Sequence, residues 1–450
     1  MHLPTAGSPL LRHLRPWHAV PVSLVVVAVV TFLVLLPSDG ARPVPNSPCR
    51  PADSAREDPP ALPDLDGDGF ADLVHEISDT AENFGVTVVP GSEHGPDHDR
   101  TTVLTHDDLG LPDDVQTGDD PWQPTVADLD EDGHADLVVS GAAQVLWGGP
   151  EGPRAGGPHG RVPLPGSGYD TAPIAGDFDE DGHTDLAAFR FSNKDQELVV
   201  LKGPFKRSGA PTRTVEIPSP VHEAASPVLV AGDANDDRAT DLALYDSPWD
   251  PPLLFTGGAR TAGGLSKKPE RLPEGENVVF GDFDGDGRQD VAMGRSFVDS
   301  YDEIDTPHRR GQVSVRYGKE PGTWVTMEGG DFKEGFGTRL AVGDFNGDGC
   351  DDLAVQLTKK KETGDARIEV LRGGSEHGLG SKPWRTTKRS VPGDDGPVDG
   401  TLFAVHDWDD DGRAELALLG GNRWWITDAT DRDEVSFPVT RSKAGGRFIS

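Results

Sequence analysis

The sequence predicts an all-β fold: a seven-bladed β-propeller of four-stranded antiparallel blades, preceded by an N-terminal hydrophobic helix. Three observations predict it. One acidic loop motif recurs seven times along the chain. Apolar residues come in short runs bounded by Gly, Pro or Asp, which is the grammar of strands and turns. Gly and Pro number 56 and 39 of 450 residues, too many for a helical protein because both are poor in helix interiors.

The first element is an uncharged stretch from Ala19 to Leu36, with Arg12 and Arg15 before it and no acid until Asp39. A helix of that length spans about 27 Å, just under the ~30 Å hydrocarbon core of a bilayer. Basic residues ahead of it keep the N-terminus inside and send the rest out. Residues 1–37 are therefore expected to be a signal peptide or a signal anchor. Ser38 and Gly40 are small enough to precede a cut, but no A-x-A site stands there, so both remain open. The expected location is extracellular or cell-surface. Residues 38–57 read as a Pro-rich extended linker and 58–450 as the propeller.

The seven loops begin at Asp64, Asp128, Asp177, Asp233, Asp282, Asp344 and Asp407, at intervals of 64, 49, 56, 49, 62 and 63 positions. Their pattern is D-x-[DN]-x-D-G-x-x-[DE]-[LV], with Gly missing only in the fourth. A small-residue run precedes each loop, as in Leu229–Gly232, and a second follows it, as in Leu186–Phe189. A third ends at a Gly, as in Leu198–Leu201 before Gly203, and a fourth closes the unit. Four strands per repeat make a blade, and seven blades close a ring with short protected edges. The expected blades span 58–113, 114–168, 169–224, 225–271, 272–329, 330–395 and 396–450.

Positions 1, 3, 5 and 9 of each loop offer side-chain oxygens, and position 7 a backbone carbonyl. The candidate metal ligands are Asp64, Asp66, Asp68, Phe70 and Asp72 in loop one, and Asp128, Asp130, Asp132, His134 and Asp136 in loop two. Loop three offers Asp177, Asp179, Asp181, His183 and Asp185; loop four offers Asp233, Asn235, Asp237 and Asp241. Loop five offers Asp282, Asp284, Asp286, Arg288 and Asp290, and loop six Asp344, Asn346, Asp348, Cys350 and Asp352. Loop seven offers Asp407, Asp409, Asp411, Arg413 and Glu415. An all-oxygen set selects hard cations, and flexible six- to eight-fold ligation favours Ca2+ over Mg2+. Up to seven Ca2+ sites are expected, the fourth being weakest, with Asn235 at position 3 and Arg238 in place of Gly. An EF-hand is excluded, since position 12 is apolar or His75 rather than Glu and no helix follows. Plain Asp-Gly turns would explain the D-G pair but not the recurrence of oxygen ligands at four alternate positions.

The formal charge is -35, from 77 acidic and 42 basic residues, which argues against nucleic acid and against adhesion to anionic lipid. Contact with a membrane is expected only through the N-terminal segment, if uncleaved. Two cysteines make no disulfide framework; Cys49 and Cys350 can pair after export, and the sequence leaves that open.

The run Phe336-Gly337-Thr338-Arg339-Leu340-Ala341-Val342-Gly343, leading into Asp344 and Asp352-Leu353-Ala354-Val355, resembles the FG-GAP repeat. That repeat builds the seven-bladed propeller of integrin alpha chains and of secreted bacterial proteins also labelled VCBS-repeat. Leu371 to Leu379 resembles its third strand and Gly-rich turn. The resemblance covers about 58–450, although only the sixth copy keeps the FG pair. It implies a cation loop between first and second strands, and adhesion or binding of carbohydrate or protein.

No nucleotide-binding fingerprint, zinc spacing or nucleophile elbow occurs. The Ser-Glu-His segments at 92–94 and 375–377 sit in Gly-bounded turns at equivalent repeat positions and read as turns. The long connection from Gly294 to Gln312 in blade five is a candidate binding loop or a solvated insertion. Trp122, Trp249, Trp324 and Trp384 suit sugar stacking or inter-blade packing. The expected function is a monomeric, exported ligand-binding or adhesion module for a surface protein or glycan, not an enzyme. The alternatives are a polysaccharide hydrolase or lyase at the central channel and a structural surface domain.

Overall fold

A computed structural model describes Cys49 and residues 63–77, 85–109, 124–139, 144–154, 156–163, 172–190, 197–218, 227–246, 251–261, 263–296, 310–320, 322–329, 335–357, 367–375, 377–388, 390–393, 396–399, 401–420, 423–428 and 434–438. The N-terminal segment of 1–37 and nearly all of the linker lie outside these residues. No helix among the described residues is long and apolar enough to cross a membrane.

The strands form consecutive antiparallel meanders, one per repeat. Blade one has β1 (Leu73–Ile77), β2 (Gly85–Val89) and β3 (Thr102–Thr105). Blade two has β4 (Thr125–Ala127), β5 (Asp136–Val139), β6 (Gln144–Leu146) and β7 (His159–Arg161). Blade three has β8 (Ile174–Gly176), β9 (Asp185–Arg190), β10 (Glu197–Lys202) and β11 (Arg213–Pro218). Blade four has β12 (Val228–Gly232), β13 (Asp241–Tyr245), β14 (Leu253–Phe255) and β15 (Glu270–Arg271). Blade five has β16 (Asn277–Gly281), β17 (Asp290–Arg295), β18 (Gln312–Arg316) and β19 (Val325–Glu328). Blade six has β20 (Phe336–Gly343), β21 (Asp352–Leu357), β22 (Arg367–Leu371) and β23 (Arg385–Lys388). A hairpin follows, β24 (Ser390–Gly393) with β25 (Gly396–Asp399), and then blade seven with β26 (Thr401–His406), β27 (Glu415–Gly420), β28 (Arg423–Thr427) and β29 (Glu434–Pro438).

Two expectations change. Blade one shows three strands among the described residues; its first-strand position is marked by the Asp72 N–H donating to the Pro63 carbonyl at 2.8 Å. The boundary expected at 395/396 falls inside the β24–β25 hairpin, so that pair is an addition between blades six and seven. A Gly-Pro-Asp-rich stretch had no apolar run to announce it.

The ring is visible in the packing. The innermost strands β4, β8, β12, β16, β20 and β26 neighbour one another in turn. Alternation along each middle strand sends side chains to both adjacent blades. In β9, Leu186 packs toward blade two with Trp147 and Phe205, whereas Ala187 and Phe189 pack toward blade four with Leu242 and Phe255. Seven apolar clusters result, each straddling one pair of blades. The closing cluster joins the chain's two ends: Ala71, Leu73 and Val89 of blade one meet Trp408, Trp424 and Phe437 of blade seven. The small residues of inner strands are needed there. A Cβ on Gly232 would sit 2.2 Å from the Phe280 ring of the next blade.

Trp324 and Trp384 lie partly buried against these clusters, beneath Arg316 and Arg385 respectively, which is packing rather than a sugar platform. Trp122 and Trp249 lie outside the described residues, as does 297–309 of the long blade-five connection.

Candidate metal centres

In blades two to seven each acidic loop joins a first strand to a second, and in blade one it leads into the second-strand position β1; all seven turn with the same left-handed residues. Position 6 has φ between 82° and 94° where it is Gly, and Arg238 takes φ 72° in the fourth loop. Position 4 also has positive φ, from 56° to 75°, although four loops place Glu131, Glu180, Asp236 and Asp410 there. Acidic residues tolerate this left-handed region poorly compared with Gly, so the loop imposes the conformation.

The backbone is held by the carboxylates themselves. In every loop the position 1 aspartate accepts the N–H of position 6, at 2.7–3.0 Å. In loops one to six the position 5 aspartate accepts the N–H of position 7, for example Phe70 to Asp68 at 3.1 Å. Position 9 is buried in loops one to six, where it accepts twice, and half-buried as Glu415 in loop seven. One oxygen takes the position 2 N–H in all seven loops, at 2.8–3.3 Å. In six blades the other takes the N–H of the Gly that ends the third strand, at 2.7–3.0 Å. That Gly has no room for a side chain: a Cβ on Gly148 or Gly203 would sit 2.2 Å from the position 8 carbonyl. Sequence reasoning missed this second role of position 9; the recurring Gly after each third run was its signal.

Neighbouring loops are tied together. The position 8 N–H donates to the position 1 carbonyl of the preceding loop from Ala135 to Asp64 (3.0 Å), Thr240 to Asp177 (2.7 Å), Asp351 to Asp282 (3.0 Å) and Ala414 to Asp344 (2.9 Å). The loops therefore share one end of the ring.

Carboxylates at positions 1, 3 and 9 converge within 4.8 Å in loops one, two and three, and position 5 joins them in loop seven as Asp407, Asp409, Asp411 and Glu415. Crowding and burial raise their proton affinity. Burial, aided by neighbouring acids and opposed by the backbone donors, pushes Asp72, Asp136 and Asp241 up to about 7. Asp352 rises to about 7, and Asp290 and Glu415 to about 8, for the same leading reason. Asp185 is raised by burial only to about 6, because Lys202 works against the shift.

The residues fit a hard cation in chemistry. Oδ1 of Asp130, Asp179 and Asp284, all at position 3, is buried with no hydrogen-bond partner. Such an oxygen is costly and suits a metal in loops two and five, whereas in loop three the Asp179 carboxylate shares the buried Lys202 ammonium with Asp185. Basic side chains also reach these loops: Arg100 to Asp66 (2.9 Å), Arg207 to Asp132 (2.5 Å), Lys319 to Asp284 and Arg372 to Asp348 (2.5 Å). A cavity of about 290 Å³ lies beside loop one, lined by Asp66, Asp72, Arg100 and Glu151. Loop six carries the chain's disulfide: Cys350 is bonded to Cys49, and both pack against Gly285 of loop five.

The Ser92 segment is a turn, with Ser92 Oγ donating to the Gly95 carbonyl at 2.7 Å and His94 exposed.

A family model for the FG-GAP repeat matches residues 275–315 and 336–356. The chain carries FG-GAP repeats. The FG pair has a packing reason here: Phe336 is buried between blades five and six, and Gly337 takes φ 91° against Gly294. Among solved structures, the chain is similar to the Pseudomonas aeruginosa PilY1 C-terminal domain, at 12% identity and TM-score 0.39, over 76% of this chain and 92% of that one. No curated protein sequence matches the chain.

Proposed function

We propose that this FG-GAP propeller is an exported calcium-binding module that binds a surface protein or glycan at or beyond the cell surface. The observation that carries the calcium reading is the convergence of the position 1, 3 and 9 carboxylates together with the buried, unpartnered position 3 oxygens of Asp130 and Asp284. Asp407, Asp409, Asp411 and Glu415 would hold the ion in loop seven. A divalent ion supplies the positive charge that lets these carboxylates stay ionised while buried. The chain's own part is to hold the oxygens: backbone amides orient position 1, and position 9 ties the loop to the third strand.

Export is supported by the Cys49–Cys350 disulfide, since such bonds persist in oxidising compartments. Binding rather than catalysis is supported by the rigid ring, whose inter-loop connections are the ordinary home of recognition on such scaffolds. The test is a glycan and surface-protein binding screen of the full chain, run with calcium and with chelator. Calcium-dependent capture of a defined ligand is expected. Turnover of a polysaccharide, or no capture in either condition, overturns the reading.

A further inference from the structure

Loop three differs from the other loops in what lies at its focus. Lys202, the last residue of β10, places Nζ 2.8 Å from Asp179 Oδ2 and 2.6 Å from Asp185 Oδ2. Asp185 is fully buried, and the Lys202 side chain is only 7% exposed. The basic side chains over loops one, two, five and six are 51%, 50%, 47% and 39% exposed and can swing into water. Lys202 follows Leu198 and Val200 on the face of β10 that packs against blade four. Gly264 of blade four, at φ 93°, roofs it: a Cβ there would sit 3.0 Å from Nζ. At the same repeat position, before the Gly that ends the third strand, the other blades have Pro90, Trp147, Thr256, Tyr317 and Arg372. Arg372 touches position 5 of its loop, not positions 3 and 9 together.

A calcium ion needs its oxygens at about 2.3–2.6 Å. An ion at that distance from both Oδ2 atoms would overlap the ammonium and repel it. The ammonium supplies a positive charge in the same place, hydrogen-bonded to position 9. We propose that Lys202 is the resident cation of loop three: its ammonium, not a metal ion, neutralises Asp179 and Asp185, so this blade stays closed when metal is withdrawn. The proposal rests on the reading that the remaining loops take calcium, but loop three can be tested separately.

The test counts calcium bound per full-length chain at saturation, by equilibrium dialysis, for wild type, Lys202→Met and Asp179→Asn. Lys202→Met is expected to bind one ion more than wild type, and Asp179→Asn the same number as wild type. In chelator Lys202→Met should melt below wild type, and calcium should restore it. Loss of one ion in Asp179→Asn, or no gain in Lys202→Met, overturns the proposal. If Lys202→Met does not fold, the Asp179→Asn count decides. If wild type binds no calcium, the general reading fails, and Lys202→Met alone decides this one: one ion supports it and none overturns it.

Discussion

Withdrawing calcium should make the protein's stability fall as pH rises through neutrality. Asp290 and Glu415 have folded pKa values of about 8, against 3.8 and 4.5 when exposed, with burial as the leading cause. Between pH 6.5 and 8 each keeps its proton folded and has lost it unfolded. The folded state binds more protons, so stability present below the unfolded pKa drains away as pH climbs through the folded one. Each pH unit is worth about 1.4 kcal/mol per group, so these two groups over 1.5 units give roughly 4 kcal/mol, a lower bound because Asp72, Asp136, Asp241 and Asp352, raised to about 7, add to the fall at the start of the window. At about 2 °C per kcal/mol, the melting temperature in chelator should fall by at least about 8 °C. His75 and His406, both pushed down by burial from 6.5, oppose the fall only at the lower edge of this window, where the unfolded imidazoles lose their last protons. Calcium should flatten the slope, because a bound ion stabilises the carboxylates in their ionised form. The assay is thermal unfolding of the full chain at pH 6.5 and 8, in chelator and in calcium. An unchanged or rising melting temperature in chelator, or an equal fall in calcium, would refute the reasoning.

Three further outcomes follow from the packing. Trp424→Ala removes a buried ring that meets His75 at 5.2 Å and Phe403 at 4.9 Å where the ring closes, and should cost about 3–5 kcal/mol in denaturant unfolding; under 1 kcal/mol would mean blades one and seven are not joined there. Gly203→Ala places a Cβ 2.2 Å from the Thr184 carbonyl and should cost about 1–3 kcal/mol by the same measurement, whereas Gly182→Ala, strained in φ but open in space, should leave the third strand in place. Cys350→Ser opens a link across 301 positions and should lower stability by about 2–5 kcal/mol, matched by reducing agent on the wild type; a reductant effect on the variant would implicate something other than this bond.

The ring was legible because its signal is additive. Seven acidic loops with four apolar runs each specify seven blades even where single runs are weak, as with β15, which is two residues long. Period 2 in Leu186 and Ala187 put side chains on both faces, and burial between blades needs both. The hairpin at 390–399 was not legible, since Ser390–Asp399 holds only two Val among Gly, Pro and Asp. At the loops, residue type and spacing identified the convergent oxygens. They did not reveal Lys202, because the contact between Lys202 and Asp179 is set by strand register, and a single Lys at a strand end looks like an ordinary solvent-facing residue. Pairing of Cys49 with Cys350 was equally hidden, since spacing alone does not say whether two residues 301 positions apart meet.

The loop carboxylates divide their labour, and the division explains why the fourth loop keeps its shape without its Gly. Positions 1 and 9 bond the backbone in every blade, including the fourth, where Asp233 accepts from Arg238 and Asp241 from Ala234 and Gly257. Those bonds need oxygens and no metal, so Asn235 at position 3 and Arg238 at φ 72° change the charge of the loop more than its path. Position 3 is what varies in environment: an exposed arginine over loops one and two, a buried ammonium in loop three, an exposed lysine over loop five. Loop seven has four converging carboxylates, against three in loops one, two and three, and no ion pair among the described residues. Among these four loops, demand for an outside cation is therefore greatest in blade seven and least in blade three. Blade seven is also the blade that closes the ring against blade one, so under the calcium proposal a cation held by loop seven would act beside the seam that joins the two ends of the propeller.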